Sequence, residues 1–213
     1  MKIKVVGLDL ALSNLGIAVA EIDLDDPMQY SLIDLHLEQT EDGKAVKLKR
    51  MPDGKLKKVK YMPKGQTVGS DDVRRARILS EALRQYTKDA DIVFAEVPIG
   101  SQSARAMASY GISVGLIGSV AKPLVQVSPS DVKKAGCNDV TATKAEMIEA
   151  AVSMFPDAPW LRSKQKRNGE HPIISDNEHL ADACFIIKAG MQTDEYLELI
   201  EKLKNSQSNL EAA

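Results

Sequence analysis

Two mainly apolar runs stand at the start of the chain, over residues 2–10 and 16–22. The short polar turn Ser13-Asn14 between them predicts an antiparallel β-hairpin. A third run, residues 29–38, alternates between hydrophobic and polar positions after the turn residues 25–27 and predicts a further antiparallel strand. The chain is therefore expected to open with three strands that pair in sequence order.

Helical periodicity over residues 71–88 places four apolar positions on one face, namely Ala76, Leu79, Leu83 and Tyr86. The arginines of this helix are expected elsewhere around it; they are Arg74, Arg75, Arg77 and Arg84. An apolar strand over residues 91–99 follows and carries Glu96. A strand, a helix and a strand in this order predict a parallel crossover, whose functional edge lies at the carboxyl ends of the strands.

Small residues are frequent in the next helical segment, residues 103–120, and they include Ala104, Ala108, Gly111, Gly115 and Gly118. A helix face built from such residues can approach a neighbour closely. It predicts either packing on the sheet or a subunit interface, since two-fold dimers are common. A short strand over residues 124–127 comes next.

Two capping-box patterns, Thr143 with Glu146 and Ser175 with Glu178, predict the starts of two further helices. The second helix carries His179 and Asp182, which are three residues apart and therefore share a face. Glu178 is assigned to the cap because its spacing to Ser175 gives it a structural role. A terminal amphipathic helix over 194–204 and a frayed tail complete the prediction.

Length and composition predict one globular domain, residues 1–205, with an insertion at 44–64 and a flexible tail at 206–213. Cys137 and Cys184 form no CxxC motif, so each is expected to be a small buried or half-buried residue. The sequence has no apolar leader before the first strand and no apolar run of spanning length. A soluble, cytoplasmic protein without a membrane partner is expected.

The net charge of −2 hides a strong segregation of charge. Between residues 44 and 64, nine lysines or arginines stand against Asp53 alone, which gives +8 and leaves −10 for the rest. Pro52-Asp53-Gly54 is turn chemistry between two alternating stretches, so the segment predicts a basic β-hairpin or a mobile loop. It is either a solvated surface arm or a phosphate-binding element, because affinity for a polyanion increases with the number of cations.

Three acidic residues lie in settings that are costly for a charge: Asp9 within an apolar strand, Glu96 at a strand end and Asp182 on a late helix. Asp9 alone could also cap a nearby helix. Together the three carboxylates suit two hard divalent cations, which can activate water and stabilise the leaving 3′-oxygen of a phosphodiester. His179 could be a softer ligand that favours Mn²⁺ over Mg²⁺, or could orient or deprotonate the attacking water.

Five short motifs follow one another along the chain. They are Gly7-Leu-Asp9 with Gly16, Ala95-Glu96-Val-Pro, Ser128-Pro-Ser-Asp-Val-Lys-Lys134-Ala-Gly136, Thr143-Lys144-Ala-Glu-Met and His179-Leu-Ala-Asp182-Ala. With these motifs the chain resembles the RuvC family of Holliday junction resolvases, in the ribonuclease H-like superfamily. The resemblance covers most of the chain outside the basic insertion and the tail.

The resemblance implies an α/β fold with a ribonuclease H-like mixed five-stranded sheet flanked by helices, to which the basic hairpin or loop is added. It implies that Asp9, Glu96, His179 and Asp182 bind metal and catalyse, with Lys144 near the scissile phosphate. Two Mg²⁺ ions per site are expected, with Mn²⁺ as a substitute. The expected DNA contacts are Lys47, Lys49, Arg50, Lys55, Lys57, Lys58, Lys60, Lys133, Lys134 and Arg105.

The implied activity is paired, symmetric nicking of a four-way junction by a homodimeric endonuclease. Three departures bear on it: Leu10-Ala11 replaces the family's Pro-Gly, His179 stands where many relatives have Asp, and Pro98-Ile99 replaces a crossover aromatic. The last departure leaves flaps, forks and other branched DNA open as substrates. Two other classes stay open: an actin-like-ATPase-type nucleotide-binding protein, whose opening hairpin also has Asp followed by Gly, and a non-catalytic junction binder.

Overall fold

The computed structural model describes the chain except residues 42–43, 53–54, 98–99, 101–102, 168 and 212–213, and it describes no side chains at 45–50, 56, 59 and 207–211. The strands are β1 Lys2–Leu10, β2 Asn14–Asp23, β3 Asp26–Gln39, β4 Ala45–Arg50, β5 Leu56–Tyr61, β6 Ile92–Glu96 and β7 Leu124–Val127. The helices are α1 Val68–Thr87, α2 Ala104–Gly118, α3 Pro129–Cys137, α4 Lys144–Met154, α5 Asn177–Gly190 and α6 Asp194–Glu211.

The main sheet has five strands in the order β3-β2-β1-β6-β7. The first three strands pair antiparallel, and β1–β6 and β6–β7 pair parallel. The predicted opening meander, the parallel crossover and the mixed five-stranded α/β sheet are thus confirmed. The third strand is longer than predicted, because its pairing with β2 continues from Asp26 to Gln39.

Alternation along the two central strands divides their side chains between two hydrophobic clusters. Ile3 and Val5 of β1 belong to the cluster under α3, α4, α5 and α6, whereas Val6, Leu8 and Leu10 belong to the cluster under α1 and α2. Positions 7 and 9 lie on the same face of β1 as Ile3 and Val5, so Asp9 faces α5. The same alternation along β6 places Glu96 on the α5 side, because Ile92 and Phe94 belong to that cluster.

Helix α5 approaches the β1–β2 hairpin closely because the hairpin carries glycine beneath it. A Cβ atom on Gly16 would lie 2.1 Å from the backbone oxygen of His179, and one on Gly7 would lie 2.2 Å from that of Ala183. Since Gly16 pairs with Asp9 across the hairpin, this close packing brings the start of α5 next to Asp9.

The basic segment forms a separate two-stranded antiparallel sheet, β4–β5, which confirms the hairpin prediction. Its turn residues Asp53-Gly54 lie outside the described residues. Lys55, Lys57, Lys58 and Lys60 are exposed, as a hairpin without a core-forming face requires.

Both cysteines behave as predicted, since Cys137 is a half-buried and Cys184 a buried free thiol. Thr143 and Glu146 form the predicted capping box of α4. Among the described helices, none combines the length and the apolar character needed to span a bilayer.

Four details of the helix predictions are wrong. Helix α6 continues to Glu211 rather than ending at 204. Helix α5 begins after Asp176, with no side-chain cap, so Ser175 and Glu178 form no capping box. Arg75 is buried in α1, as Leu79 and Leu83 are, instead of lying away from the buried face. The small-residue face of α2 does not pack on the sheet: no atom lies within 4 Å of a Cβ built on Gly111 or Gly115 among the described parts of the chain.

Candidate active site

Asp9 and Glu96 stand at the same edge of the sheet, where parallel strands β1 and β6 end. The β1–β6 register pairs Leu8 with Ala95, so one further residue brings Asp9 level with Glu96. Adjacent strands are about 4.8 Å apart, which makes the two carboxylates neighbours on the α5 side of the sheet.

The first turns of α5 bring His179 and Asp182 to this edge. Nδ1 of His179 lies 2.6 Å from Oδ2 of Asp9, and it is the donor because an ionised carboxylate only accepts. The spacing of three residues predicted that His179 and Asp182 share a face, and the charge of each influences the pKa of the other. Three elements thus contribute the four residues that the sequence singled out.

Crowding of negative charge in a half-buried site raises the pKa values of two carboxyl groups. Burial, followed by the charges of Asp9 and Asp182, raises the pKa of Glu96 to about 8. Burial and the charge of Asp9 raise the pKa of Asp182 to about 7, against the attraction of His179. The site therefore holds more negative charge than its own cations balance.

Burial lowers the pKa of His179, but the hydrogen bond to Asp9 and the charges of the surrounding carboxylates outweigh burial. The net result is a pKa above the ordinary value for histidine. That shift favours the protonated imidazole, whose positive charge would compensate part of the repulsion between the acids.

Glu178 belongs to this site, a role that the sequence analysis missed. Its Oε1 accepts a hydrogen bond of 2.8 Å from Nζ of Lys144 and lies 3.5 Å from Nε2 of His179. The ion pair raises the pKa of Lys144, to which Asp182 and Asp9 also contribute. The spacing of four residues between Glu178 and Asp182 could have indicated that Glu178 belongs to the site. Its spacing to Ser175 predicted a cap instead.

Among the described residues, no group of three or more His, Cys, Asp or Glu side chains is arranged so that it could hold a metal ion. Asp9 is instead turned to His179. The donor types still fit hard cations, because burial and the charge of Asp9 raise the pKa of both Glu96 and Asp182, and added positive charge would stabilise such a set.

Solved structures with the same architecture are Holliday junction resolvases. Thermus thermophilus RuvC in complex with Holliday junction substrate is 17% identical with a TM-score of 0.52, over 88% of this chain and 92% of that chain. Thermus thermophilus RuvC alone is 16% identical with a TM-score of 0.50, over 92% of this chain and 96% of that chain. The chain has the fold of RuvC.

The yeast mitochondrial Holliday junction resolvase Ydc2 is 12% identical, with a TM-score of 0.49 over 97% of this chain and 85% of that chain. No protein-family model matches the chain, and no curated protein sequence matches it. The likeness to RuvC is thus one of fold, which the predicted ribonuclease H-like class anticipated.

The predicted DNA contacts occupy three separate places on this RuvC fold. Lys133 of α3 borders the acidic site, because its positive charge partly opposes the rise in the pKa of Glu96. Lys134 lies in the last turn of α3. Arg105, at the start of α2, forms a bidentate ion pair with Asp72 of α1. The side chains of Lys47, Lys49 and Arg50, like the Pro98-Ile99 segment, lie outside the described residues.

Proposed function

We propose that this protein is a metal-dependent, structure-selective DNA endonuclease that resolves four-way junctions by paired phosphodiester hydrolysis. The observation that carries the proposal is the meeting of Asp9, Glu96, His179 and Asp182 from three elements at one sheet edge. The RuvC fold supports the proposal, because it is the fold of a solved resolvase bound to junction DNA.

Asp9, Glu96, Asp182 and His179 would hold the metal. Their oxygen-rich donor set favours Mg²⁺, two ions per site, and the imidazole makes Mn²⁺ an acceptable substitute. When bound, two such ions stabilise the attacking and the leaving oxygen of an in-line displacement. Bound ions would compete with protons for Glu96 and Asp182, whose pKa values are raised to about 8 and about 7.

The remaining polar groups of the site act on the DNA. Lys144 sits at the first position of α4, with its side chain 78% exposed, where its ammonium can meet a phosphate. Glu178 holds that ammonium at the border of the acidic cluster. His179, hydrogen-bonded at Nδ1, presents Nε2 towards Glu178 and can orient a water or accept its proton.

Binding of branched DNA is supported by the segregated charge. The +8 segment forms a hairpin separate from the main sheet, and Lys133 borders the acidic edge. Such an arrangement attracts a polyanion although the total charge is negative. Because its substrate is intracellular DNA, we also propose a cytoplasmic location.

A homodimer is part of this proposal, since paired nicks need two active sites. The outward face of α2 supports it: Met107 is 41% and Val114 36% exposed, and a Cβ built on Gly111, Gly115 or Gly118 would meet nothing within 4 Å in the described chain. An exposed apolar face whose glycines carry no side chain lets two helices pack closely.

Purified protein should be incubated with labelled four-way junctions, flaps and linear duplex, with Mg²⁺ or Mn²⁺. Junction cleavage should exceed duplex cleavage, and both Asp9→Asn and Glu96→Gln should abolish cleavage while binding is kept. Full activity in both variants would contradict the proposal.

The same experiment separates the alternatives. Faster cleavage of flaps or forks than of junctions would identify a branched-DNA endonuclease of the same fold. Junction binding without cleavage under either ion would identify a non-catalytic binder.

A further inference from the structure

A second polar cleft lies beside the candidate active site, between the β1–β2 turn, the end of β3, helices α1 and α2 and the base of the basic hairpin. Its volume is about 750 Å³. Four cationic residues line it, Lys44, Lys60, Arg75 and Arg105, against the single carboxylate Glu41 among its lining residues. The cleft therefore has a positive balance, unlike the acidic site.

Arg75 is the central residue of this cleft and is only 6% exposed. Its Nε donates to Oγ1 of Thr40 at 3.0 Å, and its Nη2 donates to Oγ of Ser13 at 2.8 Å. The Thr40 hydroxyl in turn donates to the backbone oxygen of Leu12. The guanidinium is thus fixed by hydroxyls from the two segments that form the cleft wall.

No carboxylate in the described chain forms a salt bridge with Arg75. The neighbouring arginines are different, because Arg74 pairs with Asp71 and Arg105 takes both carboxylate oxygens of Asp72. The charge of Arg75 contributes, after Arg105, to lowering the pKa of Asp72, so Asp72 compensates it only in part. A buried cation is costly unless an anion compensates it, so an anion in the cleft would stabilise Arg75 further.

Arg75 also has a donor left for such an anion. Its Nη1 makes no hydrogen bond with the described residues. Every fully buried polar side-chain atom of these residues has a hydrogen-bond partner, so Nη1 is not fully buried. Because Arg75 lines the cleft, Nη1 is available to a ligand there.

The cleft lies at the end of β1 that carries Asp9 and reaches the base of the basic hairpin. Ala11 and Ser13, which line it, follow Asp9 by two and four residues, so they are at most about 7 and 13 Å of extended chain away at 3.3 Å per residue. Lys44 immediately precedes β4, and Lys60 lies in β5. An extended polyanion that occupies the acidic site can continue through the cleft to the hairpin, which a free phosphate cannot do.

We propose that this cleft binds the sugar-phosphate backbone of the DNA strand adjoining the cut, with Arg75 and Ser13 holding one phosphate and Lys44 and Lys60 the next. The proposal rests on the nuclease function and adds a binding site to it.

The test uses full-length protein with Asp9→Asn, so that binding is measured without cleavage. Fluorescence anisotropy with a labelled four-way junction gives the affinity from about 50 to 200 mM salt. Removing one cation that binds a phosphate should reduce the steepness of log affinity against log salt by about 0.9. Arg75→Gln and the pair Lys44→Gln/Lys60→Gln should each show such a reduction.

Arg84→Gln/Lys88→Gln is the matched control, because both residues are exposed at the opposite end of α1. It should leave the slope within about 0.3 of the parent protein, a third of the effect of one phosphate. Inorganic phosphate should compete with the junction only weakly. If inorganic phosphate and an unlabelled DNA strand compete equally well at the same concentration of phosphate groups, the cleft is a small-anion site and the proposal is overturned.

Equal slopes in the lysine pair, the control and the parent protein would also overturn it, even if Arg75→Gln fails to fold, because the two lysines are surface residues. Junction cleavage by the wild-type chain would in that case leave the nuclease function standing. Absence of junction binding by the Asp9→Asn parent, together with no wild-type cleavage, would overturn both.

Discussion

Nδ1 of His179 and Oδ2 of Asp9 lie 2.6 Å apart, although 170 residues separate them in the chain. The hydrogen bond can form because Gly16, the hairpin partner of Asp9, has no side chain, so the first turn of α5 packs directly against the hairpin. Asp9 also lies beside Glu96 on the neighbouring strand. One carboxylate therefore links the hairpin, the crossover strand and the late helix into a single site.

Gly16→Ala should displace the start of α5. The new Cβ would lie 2.1 Å from a backbone oxygen, which cannot move without the helix. We expect a loss of about 1–3 kcal/mol in the free energy of unfolding and a loss of cleavage, measured by urea titration and a junction assay. Gly69→Ala is the control, since its nearest neighbour lies 3.9 Å away at the start of α1; unchanged stability in both would contradict the packing argument.

Stability without divalent ions should fall as pH rises. Glu96 and Asp182 have folded pKa values of about 8 and about 7, above their ordinary values of 4.5 and 3.8. Between about pH 4 and 8 the folded state therefore binds more protons than the unfolded state. The free energy of unfolding that these two groups contribute is fully present below about pH 4 and is lost towards pH 8. Melting temperatures in EDTA across this range should show the decline.

Glu96→Gln should flatten this pH dependence, because an amide does not titrate. Glu81→Gln is the control, since Glu81 is exposed and paired with Arg84 far from the site. Added Mg²⁺ should raise the melting temperature more at about pH 8 than at about pH 5, because protons compete with the ion. A pH dependence that is equal in Glu96→Gln and in the parent would refute the assignment of the shift to this site.

Lys144→Gln should lower cleavage by about 10²-fold without changing the melting temperature. The charge that meets the phosphate is removed, whereas an ion pair with a 78% exposed lysine contributes little to stability. Single-turnover cleavage and thermal unfolding measure the two effects. Lys202→Gln, which breaks an exposed pair with Glu198 on α6, should change neither; a comparable cleavage loss there would remove the special role of Lys144.

Val114→Asp should convert a dimer into a monomer, because it puts a charge in the middle of the exposed apolar face of α2. Light scattering coupled to size exclusion should change from twice 23.2 kDa to 23.2 kDa. Ile33→Asp, on β3 and 53% exposed, introduces the same charge away from that face and should leave the mass unchanged. A wild-type monomer at all concentrations would contradict the dimer.

Several elements followed from local sequence alone. The apolar runs of β1 and β2, the helical period of α1 and the capping box at Thr143 are short-range patterns, which neighbouring residues decide. The same patterns located Asp9, Glu96 and Asp182 as charges in apolar settings. The order of strands and helices then made a shared sheet edge the expected meeting place.

Two residues show what only the tertiary structure decided. Glu178 had the spacing of a cap residue, but its carboxylate pairs with Lys144 of α4 and not with the backbone of its own helix. Arg75 was expected away from the apolar face of α1, but hydroxyls of the β1–β2 turn and of the end of β3 bind its buried guanidinium. The sequence by itself determined which side chains lie on which face of each element. The contacts between elements distant in the chain depended on how closely α5 and α1 approach the sheet, and that distance is set by packing.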